Sequence, residues 1–330
     1  QLSEALRKLN ADLERPQPPA LAADRRKCTL CSWRESCSRV ASADGHLSEV
    51  SGIGAKRREM LQELGIQGLN DLAFANPERL AVEMERFGEQ HGDVARGLVA
   101  QAVAQRDGLV ERLDSTFALP ELQGAPGVLL YDIESDPDAR HDFLHGFLRL
   151  PRQSDGRWDL AAATYHPLLV MAEHGEQRSW LRLQRLLSRY DGWPILHYGE
   201  TETLSLRRLA QRQGASDAQL RRLKRRLVDV HARIRSHWRL PLSSYGLKSV
   251  AAWRGFRWSQ AGVDGARALL WWRQWLGEGP KRRGSRHGLA WIFRYNQDDC
   301  RATWAVAEWL LKEDDLLKTG PDTDQPTAGP

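Results

Sequence analysis

The sequence predicts an α/β fold, a mixed sheet with flanking helices, preceded by a small all-α region. Three observations carry this. Residues 46–112 read as helical throughout, punctuated by Gly52, Gly54, Gly65 and Pro77. Gly127-Val-Leu-Leu-Tyr-Asp-Ile133 is a short apolar run of the length of a buried strand. Beyond it, strand-like stretches at 142–150 and 160–171, a helix at 176–190, a strand at Pro194–Tyr198 and helices to about residue 316 follow one another as in a mixed-sheet domain.

Taken in order, residues 1–15 read as a helix with Leu2, Leu6, Leu9 and Leu13 on one stripe, ended by Pro16, Pro18 and Pro19. A cysteine-bearing segment, 28–37, completes an N-terminal part at 1–45. A helical segment at 46–119 follows. Pro120 to Pro126, with Gly124 between, reads as a linker. The α/β domain is expected at 126–316, and a Pro/Gly/Thr-rich tail at 317–330 is expected to be disordered.

Composition narrows the class. The chain has 330 residues, 48 Lys+Arg against 43 Asp+Glu, a net charge of +5 and 41% hydrophobic residues. No apolar run approaches the ~18–20 residues of a membrane span, and no basic n-region precedes an apolar one at the start. Four cysteines, three of them within ten positions, do not form a disulfide framework. A soluble, cytoplasmic protein is expected. The first residue is Gln1, not Met, which reads as a piece of something longer.

The charge is uneven. Residues 205–259 carry fourteen Lys/Arg against Asp217 and Asp229, a local net of +12, with Trp238, Trp253 and Trp258 interleaved. Planar guanidinium groups and aromatic faces suit phosphates and unstacked bases. Arg222, Arg225, Arg226 and Lys248 are the candidate nucleic-acid contacts. The competing reading is compositional: only eight of the 48 basic residues are Lys, and most tryptophans are core.

Asp132 and Glu134 stand two apart at the end of the first α/β strand, so both carboxylates share a face. Crowded carboxylates call for a cation, and Mg²⁺ or Mn²⁺ prefers oxygen ligands. Two later segments add acids: His197-Tyr-Gly-Glu-Thr-Glu202 at a strand-to-helix junction, and Tyr295-Asn-Gln-Asp-Asp-Cys300, where Tyr295 and Asp299 share a helical face. Asp229 reads either as a further acid near the site or as a helix-surface or Arg-paired carboxylate.

These stretches, with Tyr245-Gly-Leu-Lys-Ser-Val250, resemble the tyrosine-bearing DEDD exonucleases of the RNase H-like superfamily, and more closely the YprB-type domain of RecB-like putative nucleases. The resemblance covers about 126–315. It implies an RNase H-like mixed sheet and two-metal phosphodiester hydrolysis, with two Mg²⁺ or Mn²⁺ held by Asp132, Glu134, Glu202 and Asp299 and the water oriented by Tyr295. It points to a 3′–5′ DNA exonuclease of DNA repair, acting on single strands or DNA ends, with a helicase domain or protein as a possible partner. In the second motif Glu202, or less favourably Glu200, stands where family members usually carry Asp. A non-catalytic nucleic-acid-binding adaptor and a ribonuclease are the alternatives.

Cys28-x2-Cys31-x5-Cys37 lies in a basic, aromatic setting. Thiolates at this spacing chelate metals. The cluster resembles the last three ligands of the iron–sulfur site in RecB- and AddB-type nucleases, which implies a [4Fe–4S] cluster completed by an upstream cysteine. Zinc with His46 as fourth ligand is the competitor, and free thiols the third reading. Cys300 reads as a packed small hydrophobe. Ser51-Gly-Ile-Gly-Ala-Lys56, with Arg57, resembles a helix-hairpin-helix DNA-binding unit; Gly52 and Gly54 would let the backbone approach a phosphate, and Lys56 and Arg57 would add charge. A hairpin that only packs is the alternative.

Overall fold

The computed structural model describes residues 2–14, 34–171, 175–278 and 285–319. It divides into two compact units: Gln1–Leu109 with Leu240–Ser244, and Val110–Arg239 with Tyr245–Pro330.

The first unit is helical: α1 (Leu2–Leu13), α2 (Arg34–Ala43), α3 (Ala55–Glu63), α4 (Leu69–Phe74), α5 (Pro77–Met84), α6 (Glu89–Gly92) and α7 (Ala95–Asp107). Local chemistry sets the ends. Asn76 caps α5, its side chain accepting from the Arg79 amide, and Pro77 follows at the first helical position. Gly108, at φ 68°, closes α7. Leu47, Leu61, Leu72, Met84, Leu98 and Ala102 form the core. Leu2, Leu6 and Leu9, the stripe expected on α1, are exposed.

The second unit contains β1 (Glu111–Arg112), β2 (Gly127–Asp136), β3 (His141–Pro151), β4 (Thr164–Leu169), α8 (Gly175–Arg189), β5 (Ile195–His197), α9 (Glu200–Arg212), α10 (Asp217–Arg226), β6 (Leu227–Asp229), α11 (Val230–His237), β7 (Trp238–Arg239), α12 (Leu247–Trp253), α13 (Gly265–Glu278) and α14 (Ser285–Thr319). The main sheet has the order β4-β3-β2-β5-β6. Its β4-β3-β2 half is antiparallel, and β5 and β6 join β2 in parallel. This is the mixed α/β sheet expected. Strand alternation divides the faces of β2. Leu129 and Tyr131 pack with Phe147, Trp180, Leu183, Leu206 and Leu223, beneath α8, α9 and α10. The opposite face, with Asp132 and Glu134, meets α14, whose Cys300 thiol is 3.5 Å from the Leu130 carbonyl. Cys300 is buried, the packed hydrophobe expected.

Three departures have physical reasons. The fifth strand, β6, lies inside the basic block, where its two apolar residues, Leu227 and Val228, directly follow a run of arginines that hides the strand signal. Residues 120–126 are not an exposed linker: Ala118, Leu119 and Leu122 are buried, and Asp314 of α14 accepts from the Ala118 and Leu119 amides at 2.9 and 3.0 Å. The units accordingly divide at Leu109/Val110. Finally, α14 runs to Thr319, so residues 317–319 of the expected tail are helical, while the rest of the tail lies outside the described residues.

Candidate metal centre

Asp132 and Glu134 come from β2, and Asp299 from α14, which crosses that face of the sheet. One ligand oxygen from each lies within 4.8 Å of the other two, so the three could hold a metal ion. The shared face of β2 and the depth of α14 bring them together. Glu134 and Asp299 are buried.

Glu202 stands in the first turn of α9 and is also buried, whereas Glu200 is exposed. Glu202 lies outside the three-oxygen group but close enough to act on Asp132 and Glu134 through its charge. Burial, followed by mutual repulsion, pushes Asp132 and Glu134 well above the usual carboxylate range. Burial likewise raises Glu202 to about 7 and Asp299 to about 6.

Hydrogen-bond donors hold this array in place. The Asn296 amide donates to Asp132 Oδ2 at 2.6 Å, and its carbonyl accepts from the Tyr165 hydroxyl at 2.7 Å. Trp258 Nε1 donates to Asp299 Oδ1 at 2.6 Å, and the next residue, Ser259, grips Asp298 through its amide and hydroxyl. Tyr295, one turn before Asp299, adds a hydrogen-bonding interaction that lowers the acid, while its own hydroxyl is raised by burial and the surrounding carboxylates. Asn296, Tyr165 and Trp258 were not among the residues expected at the site. The Tyr-Asn-x-Asp-Asp motif contained the first, but Tyr165 and Trp258 carry no local signal.

The donor set fits a hard divalent cation. Glu134 Oε1 and Glu202 Oε2 are buried with no hydrogen-bond partner, an arrangement that leaves carboxylate oxygens unsatisfied unless a cation takes them.

The basic candidates divide. Lys248 is at the site: its ammonium lies 5.2 Å above the Tyr295 ring, donates to the Val263 carbonyl at 2.7 Å, and lowers both Glu134 and Asp299. Arg226 is committed to the fold, donating to the carbonyls of Trp193, Leu187 and Tyr190 at 2.8, 3.1 and 2.8 Å. Each of its three nitrogens thus donates to a backbone carbonyl. Arg222 pairs with Asp191 at 2.5 Å, and Arg225 is exposed.

Asp229 lies outside the three-oxygen group, but near enough to the site for its charge to raise Glu202. It caps α11, accepting from the Ala232 amide, and accepts from the Gly199 amide at 3.0 Å. This ties β6 to the turn before α9, where Gly199 has φ 113°. His197 completes that turn: Nδ1 donates to the Gly199 carbonyl at 2.8 Å, leaving Nε2 to accept from Thr203 at 2.9 Å.

In the helical unit, Gly52 adopts φ 91° and its carbonyl accepts from Arg57 Nη1 at 2.7 Å. Gly54 caps α3 in extended conformation, and Lys56 is exposed. Cys37 is a half-buried free thiol on α2. Cys28 and Cys31 lie outside the described residues. His46 caps the turn Leu47–Glu49, accepting from the Ser48 amide at Nδ1.

Among the described residues, no helix is long and apolar enough to cross a membrane. No curated protein and no solved structure matches this chain. A family model described as the RNase_H superfamily matches residues 129–311, more than half of the chain and a span that includes Asp132, Glu134, Glu202 and Asp299. That match and the buried acidic group together fit a metal-dependent, nucleic-acid-binding phosphodiester hydrolase. The chain belongs to the RNase_H superfamily.

Proposed function

We propose that the protein is a DEDD-type exonuclease that hydrolyses DNA in the 3′–5′ direction with two Mg²⁺ or Mn²⁺ ions. The observation that carries this is the buried group Asp132, Glu134 and Asp299, with Glu134 Oε1 left without a partner. Bound divalent ions would supply water activation and neutralise charge developing on the phosphoryl oxygens. The chain's own residues do the rest. Asp132, Glu134 and Asp299 would hold one ion, and Glu202, buried nearby with Oε2 unpartnered, would contribute to holding a second. Asn296 and Trp258 fix the carboxylates, and Tyr295 orients the attacking water. Lys248 carries positive charge beside the group, suited to a non-bridging phosphate oxygen.

The reading extends to the other segments. The positive φ of Gly52 and the exposed Lys56 at the start of α3 support a helix-hairpin-helix contact with the DNA backbone. Cys28, Cys31 and Cys37 would hold iron–sulfur, with a cysteine from outside the chain, or zinc. Their sequence spacing supports this, and a visible absorption spectrum of anaerobically purified protein separates the two. A RecB-like setting in DNA repair, with a helicase as partner, belongs to the same reading.

The test compares wild type with Asp132→Ala and Asp299→Ala on end-labelled single-stranded DNA and RNA, in Mg²⁺, Mn²⁺ or EDTA. Metal-dependent shortening of DNA from its 3′ end, lost in both variants, is expected. Shortening of RNA alone would make the protein a ribonuclease. Binding without cleavage in every metal would make it an adaptor.

A further inference from the structure

Along α14, Trp291, Tyr295 and Asp299 follow one another at intervals of four, so they share one face of the helix. At about 1.5 Å per residue, Trp291 stands roughly 12 Å from Asp299 along the axis. Tyr295 between them is buried and carries Lys248 over its ring. Trp291 is different. Its side chain is 44% exposed, and its ring is tilted against that of Trp271 on α13, with centroids 5.2 Å apart. Leu270, beside Trp271, is 45% exposed. Trp272 and Trp275, by contrast, are buried on the Phe143 side of α13.

The surroundings of this indole pair are cationic. Arg267 lies one turn before Trp271 and Arg294 three residues after Trp291, both exposed. Lys248 continues the positive charge towards the carboxylates. A partly exposed indole with cations near it in sequence, on the same helix face as a candidate phosphate-cleaving centre, suits a strand whose bases are unstacked. A duplex would keep its bases to itself. We infer that Trp291, backed by Trp271, is a base-stacking subsite for an unpaired nucleotide of the strand whose phosphate lies at Asp132, Glu134 and Asp299. This rests on the nuclease reading and adds to it where the strand runs and that it is single-stranded there. At the ~3.4 Å spacing of stacked nucleotides, 12 Å places the stacked base within about four nucleotides of the scissile bond, and closer if the strand is extended.

The experiment uses the full chain and fluorescein-labelled oligothymidylate. Binding is read by anisotropy in EDTA, and cleavage by kcat/KM in Mg²⁺. Trp291→Ala should weaken binding about five- to a hundredfold, with Trp291→Phe recovering most of it. In the wild type, an abasic nucleotide walked from the 3′ end should reproduce the loss at one or two adjacent positions. The same abasic strand should cost Trp291→Ala nothing further.

Wild-type binding by a folded Trp291→Ala, or an abasic penalty equal in both proteins, would overturn the subsite. If the alanine variant melts early, Trp291→Leu replaces it, and a flat abasic scan with the wild type overturns the subsite in any case. Trp291-dependent binding without cleavage would sink the nuclease reading and leave the subsite standing. Cleavage indifferent to Trp291 and to abasic position would do the reverse.

Discussion

The side-chain oxygen of Asn296 occupies the place where a β-carbon on Gly146 would sit: that position lies 1.7 Å from Oδ1. Gly146 is the β3 residue directly opposite Asp132 in the β2–β3 ladder. Only a bare backbone there lets Asn296 descend from α14 and bond Asp132 at 2.6 Å. Gly146→Ala is expected to push Asn296 away. The overpacking should cost about 1–3 kcal/mol in a denaturant titration and reduce metal-dependent cleavage. A variant with wild-type stability and rate would show that the close approach is unimportant.

Carboxylates crowded beyond their ordinary range make stability depend on pH. An acid whose folded pKa is raised binds its proton more tightly folded than unfolded, so stability falls as pH rises from the unfolded value through the folded one. For Glu202, raised to about 7, and Asp299, raised to about 6, the fall lies between about pH 4 and 7, and Asp132 and Glu134, also raised, add to it in the same direction. Buried His145, lowered to about 4, works oppositely, losing stability as pH drops below its unfolded value near 6.5. A comparison of wild type with Asp132→Asn/Glu134→Gln cancels the histidine. In EDTA the variant's melting temperature should exceed the wild type's by a margin that grows from pH 5 to 8. Mg²⁺ should raise the wild type and leave the variant unmoved.

The Trp258 indole lowers Asp299 by donating to it. Trp258→Phe keeps the ring and removes the donor, so Asp299 should rise above about 6. The acidic limb of the kcat/KM–pH profile should then move to higher pH. An unshifted limb with a lowered plateau would assign Trp258 to packing alone.

Arg225 and Arg226 are adjacent in the basic block and should behave oppositely. Removing the Arg226 guanidinium takes a donor from three carbonyls near the end of α8, of which that of Tyr190 keeps the Trp193 amide, and Arg226→Ala should cost about 2–4 kcal/mol on unfolding. Arg225 is exposed, and Arg225→Ala should leave stability within about 0.5 kcal/mol. If Arg225 contacts phosphate, its loss should lower the salt dependence of DNA binding by about one ion. Equal unfolding midpoints for the two variants would contradict this division.

Much of the site is local in origin and could be read in the chain. Period-two alternation puts Asp132 and Glu134 on one face, and helical spacing aligns Tyr295 with Asp299. The preference for Glu202 over Glu200 matches a buried side chain beside an exposed one. The helices of the first unit and the other four strands of the main sheet follow from apolar patterning. Where reading failed, the signal was short or non-local. β6 is three residues long and directly follows a run of arginines. The interactions of Asp229 with Gly199, Trp258 with Asp299 and Arg226 with Trp193 join segments thirty or more residues apart.

By itself, then, the sequence determined the mixed α/β class, the carriers of the acidic chemistry and which of them share a face, because these depend on backbone periodicity within one element. Tertiary structure alone decided that Asp299 on α14 meets Asp132 and Glu134, that Gly146 must be bare for Asn296 to reach Asp132, and that one basic residue of the block, Lys248, lies beside the acids while another, Arg226, bonds backbone carbonyls. These outcomes depend on which surfaces are buried against each other. Burial sets whether a charge is solvated, paired or left to a cation, and no local pattern records it.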